Sequence, residues 1–102
     1  GKHADAVQNY DRALAKDDGF FAYYLGRGVS RMSLKERSPA KADFTSANKL
    51  LPTAIAYNEL GKIAESEGNQ DEAVRYYAAA AKAQDETGQT ALASLLRLDL
   101  LC

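Results

Sequence analysis

A chain of 102 residues can bury one modest hydrophobic core but not two. Its 46% hydrophobic and 26% charged residues fit an ordinary globular domain, and a formal charge of −1 gives no footprint for nucleic acid or an acidic membrane surface. No apolar run approaches the roughly 20 residues that span a bilayer, so membrane insertion is not expected.

Six helices are predicted, over residues 2–17, 20–34, 39–51, 54–67, 70–84 and 88–101. The first carries Ala6, Tyr10 and Ala13 on one face, because offsets of four and three residues line up along a helix. Asp17 and Asp18 then form a polar turn leading to Gly19. The second helix holds Tyr24 and, one turn later, Gly28. The third is expected to start late, at Pro39 after a Ser38 cap, because Lys35 stands where a turn glycine is wanted. Its face is Ala40, Phe44 and Ala47, and Pro52 closes the unit.

The fourth helix repeats the second, with Tyr57, Leu60 and Gly61. A glycine inside a helix costs roughly 1 kcal/mol relative to alanine, so its recurrence implies a close crossing that offsets the cost. Gly68 ends that helix and turns the chain, Asn69 caps the next, and Glu72 is placed as the capping-box partner. Ala73, Tyr77 and Ala80 form the packing face of the fifth helix, while Ala78, Ala79 and Ala81 favour the helix and keep its flanks slim.

The sixth, "TALASLLRLDLLC", holds six of the chain's twelve leucines. Leu92, Leu95 and Leu96 share one stripe, whereas Leu98 and Leu101 point away from it. Two readings stand open: a cap packed across more of the domain than usual or covered by further sequence, or a self-association surface built from Leu98 and Leu101 that would give a homodimer.

Three slots share one period. Ala6, Ala40 and Ala73 are 34 and 33 residues apart, and so are Tyr10, Phe44 and Tyr77, and Ala13, Ala47 and Ala80. With Tyr24, Gly28 and Pro52 in the middle unit and Tyr57, Leu60, Gly61 and Gly68 in the next, the chain resembles the tetratricopeptide repeat (TPR) family. Arg27 departs from the family's leucine, and Arg31 and Ala64 depart from its tyrosine. The resemblance implies an all-α, right-handed superhelical stack of antiparallel helix pairs. Residues 1–19 would be the second helix of a truncated repeat, 20–53 and 54–86 two repeats, and 87–102 a capping helix. The odd starting phase carries the expectation that more protein lies upstream.

Catalytic chemistry is not expected. Phosphate loops, GxSxG elbows and HExxH motifs do not occur. His3 and Cys102 sit at opposite ends, so neither a metal site nor a Cys–His pair can be argued, and no cofactor is expected. Asp71 and Glu72 suit a helix N-terminus.

The resemblance implies instead a groove lined by the first helix of each unit and open to a peptide or protein partner. Its residues would be Ala22, Leu25, Val29 and Met32, then Ile55, Asn58, Lys62 and Glu65. Core packing is an equal reading for Leu25, Val29 and Met32. The Lys, Asn and Arg set with which some TPR proteins hold C-terminal carboxylates is represented only by Asn58 and Lys62, so that activity is not expected. A second, looser resemblance covers "FTSANKLLPTAIAYNELGKIAESEGNQDEAVRYY", which is similar to tails following zinc metallopeptidase domains of the bacterial cell envelope. The cytoplasm and the bacterial periplasm or envelope both accommodate these readings.

Overall fold

The computed structural model describes residues 1–83. The predicted sixth helix, the capping unit at 87–102, and Leu98 and Leu101 lie outside the described residues. Within them the chain forms α1 (Lys2–Lys16), α2 (Phe21–Ser33), α3 (Arg37–Leu50), α4 (Ala54–Ser66) and α5 over residues 70–83, with no strand among the described residues.

The recurring slots build the core. Ala40, Phe44 and Ala47 on α3 are fully buried, and Ala73 and Ala80 on α5 nearly so. Ala56, Leu60 and Ile63 of α4 join Ala40 and Phe44 in the central cluster, against which Leu25, Met32 and Tyr76 pack. Burial of a ring such as Phe44 contributes on the order of 2–3 kcal/mol. Gly28 and Gly61 are the seats of two of the rings. A Cβ on Gly28 would lie 2.8 Å from Phe44 Cε1, and one on Gly61 would lie 2.7 Å from Tyr77 Cε1. Nothing larger than glycine lets these helices cross so closely. In α1 the equivalent Ala6, Tyr10 and Ala13 are only half-buried, and the Tyr10 ring rests against Gly26 instead.

The turns also repeat. After α4, Gly68 N donates to Glu65 O (3.0 Å) and Asn69 N to Ala64 O (2.9 Å), with Gly68 at φ 78°. After α2, Lys35 N donates to Met32 O (3.0 Å) and Glu36 N to Arg31 O (2.8 Å), with Lys35 at φ 61°. The same left-handed turn is thus made once with the residue suited to it and once with a lysine.

That turn corrects the expected start of α3. The helix begins at Arg37 with Glu36 at the N-cap, not at Pro39 after a Ser38 cap. Once Lys35 adopts the left-handed geometry, the next residues are already helical. Pro39 then falls in the first turn, where a missing N–H breaks no bond. Asn69 caps α5 as expected, its Oδ1 accepting from Glu72 N at 3.3 Å. Glu72 reaches back to Asn69 Nδ2 (2.8 Å) rather than to the backbone. Thr53 caps α4 by accepting from Ala56 N (3.2 Å).

Candidate functional site

The first helices of the two complete units, α2 and α4, were expected to supply a binding face. Leu25 and Met32 are half-buried and pack on the core cluster. Ala22 is also half-buried. Val29 is 42% exposed and Ile55 56% exposed, while Asn58, Lys62 and Glu65 are exposed. The core reading therefore holds for Leu25 and Met32, and Val29 joins the exposed set.

Charges on α4 partly cancel. Lys62 Nζ lies 3.2 Å from Glu59 Oε1, a solvated pair worth little. The Glu65 carboxylate, as hydrogen-bond acceptor, holds the Tyr77 phenol above its ordinary value, with burial adding to the effect. Burial, followed by the charge of Glu72, does the same for Tyr76.

The sequence signalled two arginines out of pattern but not their partner. Asp43 of α3, with a side chain only 3% exposed, receives both. Arg27 donates from Nε to Oδ1 and Oδ2 (3.2 and 3.1 Å) and from Nη2 to Oδ1 (2.8 Å). Arg31 Nη1 donates to Oδ2 at 2.8 Å. Arg27 Nη1 also reaches Asp11 Oδ1 of α1 at 2.7 Å, and its face lies 5.8 Å from the Tyr24 ring centre. Hydrogen bonding to Asp43 raises the Arg27 pKa, overcoming the opposing effect of burial. Every strong bond of Asp43 goes to an internal cation, so this cluster joins helices rather than offering a catalytic carboxylate. Two cations one turn apart on a helix that should be apolar were the available clue, since such a pair demands a carboxylate on the facing helix.

A cleft of about 250 Å³ lies between α3, α4 and α5, lined by Thr45, Asn48, Lys49, Tyr57, Leu60 and Tyr76. None of the groove residues predicted from sequence lines it. Asn48 Oδ1 accepts from Thr53 N (3.1 Å), while its buried Nδ2 has no partner among the described residues. Among the described residues no group of three or more His, Cys, Asp or Glu side chains gathers to hold a metal, and no helix is long and apolar enough to cross a membrane.

The chain matches the crystal structure of MamA, a TPR-containing protein, with a TM-score of 0.81 and 23% identity. The match covers 87% of this chain and 53% of that one, so the chain spans about half the length of that protein. No known family model matches the chain, and no curated protein does. At this identity the likeness speaks for architecture alone: the fold is an all-helical, TPR-like repeat stack.

Proposed function

We propose that this chain is a non-enzymatic protein-interaction module that binds a peptide or partner protein along the shared face of α2 and α4. The observation behind it is a division of labour within the repeat. The small and aromatic slots face inward, whereas Val29 and Ile55, apolar residues at groove positions, remain open to solvent, as do Asn58, Lys62 and Glu65. TPR-like stacks use such a face for extended peptides or helices, which supports the reading. Val29, Ile55, Asn58, Lys62 and Glu65 form the binding set, with Leu25 and Met32 as its packed floor.

The test is crosslinking and pull-down with Val29→Glu/Ile55→Glu, with charge reversal at Lys62, and with Val74→Glu as control. Val74 is the more exposed residue, at 65%, but lies on the second helix of its unit. The reading expects capture to be lost in the double variant, weakened by reversal at Lys62 and retained in the control. Capture that survives Val29→Glu/Ile55→Glu removes the groove from consideration.

A further inference from the structure

Phe20 breaks a local rule that the neighbouring unit obeys. It occupies the N-cap of α2 without any side-chain cap bond, whereas Thr53, 33 residues on at the equivalent slot, caps α4. N-cap sites favour Ser, Thr, Asn or Asp, whose side-chain oxygen satisfies a free N–H of the first turn. Phe20 gives that up and leaves 44% of its surface in water. The core does not use it.

What Phe20 does touch is a pair of rings. It meets Tyr23 edge-on, with centroids 4.9 Å apart at 89°, and Phe21 at 5.5 Å and 79°. Tyr23 in turn forms one wall of an open cavity of about 290 Å³, completed by Ala13, Arg12, Lys16 and Asp17. Arg12 and Lys16 are one turn apart on α1, and neither lies within ion-pair distance of a carboxylate among the described residues. The one acid on the cavity wall, Asp17, already accepts from Gly19 N at 2.9 Å. The cavity thus combines an aromatic ledge with a net positive rim.

We infer that this ledge is a second docking site, separate from the α2–α4 face, for an acidic peptide segment. An apolar side chain of the peptide rests on Phe20 and Tyr23, and its carboxylates meet Arg12 and Lys16. The charge on the rim selects an acidic partner over a neutral or basic one. Placing an aromatic where a cap belongs is the kind of local inconsistency that marks a functional position.

The test uses the whole chain and two acetylated, amidated hexapeptides, one alternating leucine with glutamate, the other leucine with glutamine. Binding is followed by NMR shifts of the Phe20, Tyr23 and Arg12 side chains. The glutamate peptide should shift all three. The glutamine peptide, and the glutamate peptide with Arg12→Gln/Lys16→Gln, should each bind about fivefold more weakly. Phe20→Thr should abolish binding while leaving Tm within about 5 °C of the parent, since the new cap bond offsets the missing edge-to-face packing of the ring. The inference is overturned if the glutamate peptide shifts none of these residues, if it shifts Asn58 and Lys62 instead, or if Phe20→Thr binds as the parent does.

Discussion

Replacing Asp43 by asparagine preserves the side chain's shape but removes the charge that Arg27 and Arg31 share. The carboxylate accepts all four of its hydrogen bonds from these two guanidinium groups, and its side chain is 3% exposed against 18% and 20% for the arginines. An amide in its place turns an NH2 group toward donors and leaves two cations largely out of water. Breaking a buried ion cluster from one side costs about 3–5 kcal/mol, a large share of the roughly 5–15 kcal/mol that holds a typical domain together.

The companion variant Arg27→Leu/Arg31→Tyr/Asp43→Ala removes the cluster entirely and restores the residue types of the TPR pattern at the two arginine positions. It also removes Arg31 Nε, which is buried without a partner among the described residues and carries a penalty of about 1–3 kcal/mol. Asp11, half-exposed, loses little with Arg27 gone. The triple variant should therefore match or exceed the parent despite three core-proximal changes. Urea unfolding followed by circular dichroism measures both, with stability read from midpoints at constant slope. Asp43→Asn falling within about 1 kcal/mol of the parent would refute the reasoning, as would a triple variant no more stable than the single one.

Three other outcomes follow from the backbone and the crossings. Lys35→Gly should stabilise the chain by about 1 kcal/mol, raising Tm by about 4–8 °C in a thermal melt, because it relieves a left-handed conformation that Gly68 adopts freely at the equivalent turn. Gly28→Ala should destabilise by up to about 2 kcal/mol in the same urea assay, since crowding of Phe44 by about 1–3 kcal/mol opposes the roughly 1 kcal/mol of helix propensity gained. Gly26→Ala should cost less, as its new methyl meets the outer end of the half-buried Tyr10 ring, which can swing aside.

The core was readable because its residues repeat. Ala40, Phe44 and Ala47 owe their burial to a spacing that one helix face imposes, and the glycines beneath the rings recur with the same period. The start of α3 was not readable in that way. No rule of local propensity places a lysine at positive φ, so the turn at Lys35 was visible only through its likeness to the one at Gly68. Asp43 was hidden for a different reason. A carboxylate between Ala42 and Phe44 looks like one more polar residue until the facing helix brings two guanidinium groups to it. On the candidate face, the pattern named positions but could not rank their exposure. Val29 and Met32 are three residues apart in one helix, yet one is open and the other packed on the core.

Arg27 grips Asp11 on α1 and Asp43 on α3 at once, so the first three helices are bolted together by directional bonds. Among the described residues the junction beyond has no such ionic bolt: α3 meets α4 through greasy surfaces and the single Asn48–Thr53 bond at the turn, and Lys41 reaches Glu67 and Glu72 only across 3.6 and 4.0 Å at the rim. Compliance is therefore uneven along the stack. When something bends this module, curvature should gather at the α3–α4 seam, sweeping Ile55 and Asn58 relative to Val29 while the front half moves as a single block.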